Sequence, residues 1–156
     1  MSHEPRPPAL SRWAIPAATL LLGALLTGCA GNTDYQDALV KTAQSGQSTL
    51  PRGEGIGAPI PLWDSVFVVC PYSDTTDAPE PFAKEALALD TSSNESAHWL
   101  LFADGDNVKR MSADRTAVDF CLAGAVNNVY QHTQVWSAEK SDGAWLMTAV
   151  DPQQGG

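Results

Sequence analysis

The chain has 156 residues and carries 18 acidic against 9 basic side chains, a formal charge of −9. That length suits one domain. The acidic balance excludes nucleic-acid binding, which needs clustered lysine and arginine to displace counterions from phosphates. Only Lys109 and Arg110 are adjacent bases, so electrostatic docking on anionic lipid is excluded as well, and any membrane attachment has to be covalent or hydrophobic.

Residues 1–12 hold Arg6 and Arg12 against a single acid, Glu4, and residues 13–28, WAIPAATLLLGALLTG, carry no charge. A positive region followed by an apolar region is the plan of a secretory signal peptide. Pro16 and Gly23 break the apolar run, which is too short for the roughly 20 residues of a membrane-spanning helix. The run ends in Leu26-Thr27-Gly28-Cys29. This tetrapeptide resembles the lipobox of bacterial lipoproteins: Leu, two small residues, then Cys. The resemblance implies cleavage before Cys29 and a diacylglycerol on its sulfur, with acyl chains such as palmitate. Two acyl chains give stable anchoring where one gives only marginal binding. Arg6 and Arg12 are too far apart for a twin-arginine signal. An ordinary secreted protein and a plain N-terminal membrane anchor are the competing readings. Residues 1–28 are therefore expected to be a signal peptide and 29–33 a lipidated tether.

Past the polar AGNT at 30–33, Thr33 and Gln36 stand at capping-box spacing, and Tyr35, Ala38, Leu39, Thr42 and Ala43 follow at helical period. This predicts an amphipathic helix over 34–45, stopped by Gly46. Residues 47–61, QSTLPRGEGIGAPIP, hold three glycines and three prolines and read as an extended loop. The run Val66-Phe67-Val68-Val69-Cys70 suits a strand buried on both faces, ended by Pro71. Asp77, Glu80, Pro79 and Pro81 mark the start of a second helix over 79–90, with Phe82, Ala86 and Leu89 as its stripe. Strand candidates follow. AHWLLFA and VKRMSAD are separated by the turn signal DGDN at 104–107, and RTAVDFCLA comes next. VYQHTQVWSAEK reads as one alternating strand, joined to GAWLMTAV through Asp142-Gly143. DPQQGG, 151–156, is expected to be a disordered tail.

Helix, strand, helix, then strands gives an α+β class: an antiparallel sheet of about five strands with two helices packed on one face, in a single domain over 34–150. A parallel β-α-β unit around the second helix is the alternative arrangement. In element order the chain is similar to the small α+β lipoproteins of outer-membrane assembly and to β-lactamase-inhibitor-like folds. Architecture alone does not carry function.

With Cys29 assigned to lipid, Cys70 and Cys121 remain. An extracytoplasmic setting favours a disulfide between them. Two reduced buried thiols or a thiol enzyme are the other readings.

His98 and His132 are lone histidines without the neighbours catalysis needs. No metal-ligand spacing, nucleophile elbow or phosphate-cradling glycine loop is visible in the sequence, so neither cofactor nor metal is expected. DGDN lacks the spacing and distal Glu of a calcium loop. Trp63, beside Asp64 and next to the 47–61 loop with Glu54, is the candidate partner-contact residue, and the two acids would favour a cationic or hydrogen-bond-donating partner. The chain thus reads as a lipid-anchored, extracytoplasmic binding or interaction protein of the bacterial cell envelope, in the cell membrane or the outer membrane, with an envelope protein as partner. The alternatives are an envelope hydrolase with an unrecognised site and a structural subunit of a membrane complex.

Overall fold

A computed structural model of the chain describes residues 30–151. The expected signal peptide, the expected lipidation site Cys29 and residues 152–156 of the expected tail lie outside the described residues. In chain order the elements are α1 (Ala30–Ala43), β1 (Gln47–Thr49), β2 (Ser65–Val69), α2 (Ala83–Leu87), β3 (Ala97–Asp104), β4 (Asn107–Asp114), β5 (Val118–Asp119), β6 (Val129–Gln131), β7 (Val135–Ser141) and β8 (Ala144–Ala149).

The class is α+β, but the strands form two four-stranded sheets where one sheet of about five was expected. One runs β1-β7-β8-β5 and the other β4-β3-β2-β6. The second is antiparallel throughout, while the first is mixed because β5 runs parallel to β8. β2 and β3 pair antiparallel, so the β-α-β alternative does not form.

The continuous apolar run of β2 explains the layering. Val66 and Val68 enter the larger core with Leu100, Phe102, Trp136 and Met147, while Phe67 and Val69 enter a smaller one with Phe82, Ala86 and Leu101. Alternate residues of a strand point to opposite faces, so a strand between two cores must be apolar at every position. Each such side chain contributes about 1.5–3 kcal/mol of burial. The helices therefore do not share one face. α1 places Tyr35, Leu39 and Ala43 in the larger core, and α2 places Ala86 in the smaller.

α1 begins at Ala30, so residues 30–33 are its first turn and not a spacer. The expected capping box does not close, because the Gln36 side chain is taken by a tertiary partner: its Oε1 accepts from the Asp114 N–H at 2.8 Å. α2 is five residues long, where twelve were expected. Pro79 and Pro81 belong to the turn before it, in which the Phe82 N–H donates to the Pro79 carbonyl at 2.8 Å.

Two further strands are shorter than their patterns. In RTAVDFCLA only Val118 and Asp119 pair, because the Asp119 carboxylate folds back onto the next turn and accepts from the Cys121 N–H (2.6 Å) and the Leu122 N–H (3.0 Å). VYQHTQVWSAEK is not one strand but two, β6 and β7, in different sheets. A straight strand would align His132 and Gln134 with Tyr130 and Trp136 on the core face. A turn closed by the Gln134 N–H on the Gln131 carbonyl (2.9 Å) removes that conflict, and the Tyr130 and Trp136 rings meet at 4.6 Å across the bend.

Both hairpin turns read from the sequence are present. β3 and β4 close through Gly105-Asp106, and β7 and β8 through Asp142-Gly143. Asp142 and Gly143 both have positive φ (49° and 93°), which a two-residue turn matching strand twist requires. Among the described residues no helix is long and apolar enough to cross a membrane.

Candidate functional site

Trp63 is a core residue. It is 1 % exposed, its ring lies 5.3 Å from Phe102, and its indole N–H points at the Pro51 carbonyl at 3.4 Å. A large aromatic in this position supplies burial, and its polar tip finds a backbone acceptor. The 47–61 segment is correspondingly structured. Its first three residues are β1, paired with β7, and Leu50 and Ile60 are buried.

Arg52 pins the remainder. It donates from Nε to the Trp63 carbonyl at 2.6 Å and from Nη2 to the Leu62 carbonyl at 3.0 Å, and it lies 3.6 Å from the Asp64 carboxylate. The Tyr35 hydroxyl donates to the Pro51 carbonyl at 3.0 Å, and burial pushes its phenol far above the ordinary range. Asp64 is thus one end of a surface ion pair, while Glu54 is exposed at the loop tip.

Cys70 and Cys121 form a disulfide with Cα atoms 5.8 Å apart. It ties the residue after β2 to the turn after β5. Beside this turn lies a polar set that the sequence pattern did not single out. Asp119 is 4 % exposed and holds Arg115 at 2.9 Å, in addition to its two backbone bonds. Arg115 also donates from Nη1 to the Glu95 carbonyl at 3.0 Å. A buried carboxylate with an ion-pair partner and two N–H donors is satisfied, so this group organises the chain around Cys121. His98, on β3, is fully buried, and neither ring nitrogen has a hydrogen-bond partner. Burial lowers its pKa from 6.5 to about 4, against the opposing pull of the Asp119 charge. His132 lies on the bend after β6, its ring Nδ1 3.4 Å from the Asp64 carbonyl.

A concave feature lies at that bend. It is a cleft of about 430 Å³ between β6 and the far ends of β7 and β8, lined by Gln47, Val129, Tyr130, Gln131, Thr133, Gln134, Val135, Val150 and Asp151. Its volume falls in the usual range for ligand pockets. The bend that opens it is fixed by Gln134, whose Nε2 donates to the Val135 carbonyl (2.7 Å) and the Val150 carbonyl (2.9 Å), while the Val150 N–H donates to the Val135 carbonyl (2.9 Å). Val129 and Val135 leave 39 % and 37 % of their surface exposed there. Burial raises the Tyr130 phenol above its ordinary pKa, so it stays a neutral hydroxyl at physiological pH. Among the described residues the lining is therefore aliphatic, with uncharged amides and hydroxyls and one acid, Asp151.

The polar break within an otherwise alternating run, His132 and Gln134 between Tyr130 and Trp136, is the signal by which sequence reading could have found this bend. Of the three candidate residues, none lines the cleft. Only Asp64 touches its surroundings, through the carbonyl that accepts the His132 N–H at 2.8 Å. Comparison of the chain with protein-family models, with curated proteins and with solved structures gave no match.

Proposed function

We propose that the chain is a lipid-anchored, extracytoplasmic binding protein of the bacterial envelope, and that it contacts its ligand at the β6–β7 cleft. The observation that carries the binding reading is the cleft itself: a ligand-sized hollow lined by half-exposed valines and by hydrogen-bonding side chains. Support for the anchor comes from Leu26-Thr27-Gly28-Cys29 behind an uncharged apolar run. A bonded Cys70–Cys121 pair agrees with an oxidising compartment.

Two experiments separate the parts. Labelled fatty acid is expected on the chain in intact cells and to disappear in Cys29→Ala; label that persists in the variant refutes the anchor. A photo-reactive residue in place of Val135 is expected to capture a ligand that the same residue in place of Leu62, exposed beside the Arg52-pinned loop, does not. Equal capture at both positions refutes the cleft as the contact site.

A further inference from the structure

Resting on the reading of the cleft as a binding surface, we propose that its ligand is an extended polypeptide segment of a partner protein, uncharged to basic and aliphatic at alternate positions, which adds as a strand to the outer edge of β6.

β6 is the last strand of its sheet, paired with β2 on one side only. The phase of that pairing is fixed at both ends. The His132 N–H donates to the Asp64 carbonyl at 2.8 Å, and the Val68 N–H to the Asn128 carbonyl at 3.4 Å. In an antiparallel ladder, residues two apart direct their main-chain groups to the same side. Residues 128, 130 and 132 therefore face β2, and Val129 and Gln131 direct theirs to the open edge. The Gln131 carbonyl is used by the Gln134 N–H at 2.9 Å. What remains on the edge is the Val129 N–H and carbonyl with the Gln131 N–H, the donor–acceptor pattern that an incoming strand matches.

The cleft runs beside these groups, since all three β6 residues line it and Val135 and Val150 stand in the same lining. A strand offers a side chain to one face at every second residue, which suits an aliphatic hollow next to a main-chain edge. A compact ligand would fill the hollow and leave the edge groups unmatched.

The contrast with the opposite edge supports the choice. β4 ends the same sheet on the other side, and there Lys109 and Arg110 lie on the strand, Arg110 reaches toward Glu85 on α2 at 4.0 Å, and Gln36 takes the Asp114 N–H. Charge and a covering helix are the usual protections of an edge. Residues 129–131 are Val-Tyr-Gln, without charge or proline. Charge sets the partner's character. Among the described residues the lining holds no base, and the chain carries −9 overall, which disfavours an acidic segment.

The test is selection of decapeptides from a random phage-displayed library on the full chain, followed by anisotropy titration of the labelled synthetic winners. Binding is expected to weaken by about tenfold or more in Val135→Glu, which fills the cleft, and in Val129→Pro, which removes an outward N–H without touching the β2 ladder. N-methylation along the peptide is expected to abolish binding at every second position and to spare the others. Unchanged thermal melts establish that both variants fold, and slowed exchange of the Val129 and Gln131 amides on peptide binding gives a readout independent of them. Peptides that lose affinity in Val135→Glu but tolerate N-methylation throughout overturn strand addition and leave the cleft as a binding site. Peptides indifferent to both variants, or no enriched peptide, overturn the proposal, and the Val135 cross-linking result then decides the cleft reading separately.

Discussion

The ring of His98 lies against that of Phe120, centroids 5.3 Å apart and planes inclined at 58°, with both imidazole nitrogens buried and unbonded. A protonated imidazole has no anion in contact there. Asp119, Arg115 and Asp114 act on it only through space, two acids favouring the charge and one base opposing it.

This arrangement makes stability depend on pH in a defined window. His98 titrates near 4 in the folded chain and near 6.5 when unfolded. Between those values the unfolded state binds the extra proton, so stability is full above pH 6.5 and falls as pH drops toward 4. The loss amounts to about 3 kcal/mol across the window. Asp74 and Asp90 are held below the ordinary carboxylate range by hydrogen bonds from Thr76 and Ser92, and their contribution is lost only at lower pH. Urea titrations at pH 7 and pH 4.5 are expected to show the loss, and His98→Leu to remove most of it. An equal loss in the variant places its source elsewhere.

Reducing the Cys70–Cys121 bond releases a 51-residue separation. Loop entropy predicts a cost of about 4 kcal/mol. The midpoint of urea unfolding with and without dithiothreitol measures it, and Cys70→Ala/Cys121→Ala is expected to match the reduced protein.

Asp119→Ala strips two backbone N–H groups and Arg115 of their acceptor in a buried setting. The expected destabilisation is about 3 kcal/mol, because the donors stay buried without a partner. Asp119→Asn keeps an oxygen for the N–H groups but loses the ion pair, and its melting temperature is expected to lie between those of wild type and Asp119→Ala.

Arg52→Ala removes both bonds that close the 51–63 loop onto the Trp63 and Leu62 carbonyls. About 1–2 kcal/mol is expected, given the partial exposure of the guanidinium. Limited proteolysis is the sharper measurement: cleavage around Gly53–Gly57 should accelerate while the rest of the chain stays resistant. Deleting 52–58 is expected to unfold more than the loop, because Ile56 and Ala58 pack on the larger core and Ile60 is buried in it.

Local pattern was sufficient where one strand or one turn decided the outcome. The β2 run announced burial on both faces, and Asp142-Gly143 announced a hairpin. It failed where a distant partner intervened. Gln36 looked like half of a capping box and instead serves Asp114, 78 residues away. Trp63 looked available beside a glycine-rich loop, but the Arg52 bonds that order this loop lie 10 and 11 residues apart in sequence and have no periodic signature. The cleft was hidden for the same reason. An alternating run reads as a straight strand, and the bend at His132-Thr133 depends on Gln134 reaching the end of a strand 16 residues later.

β2 also acts as a partition wall. Val66 and Val68 serve one compartment and Phe67 and Val69 the other, so chain neighbours never share a room. A register slip of one residue would exchange the two inventories, placing phenylalanine where valine fits and the reverse. Substitutions on odd and even positions of this strand should then tolerate drift independently, each compensated by volume changes in its own compartment alone. Two interiors, divided by a single sheet, can be remodelled one at a time.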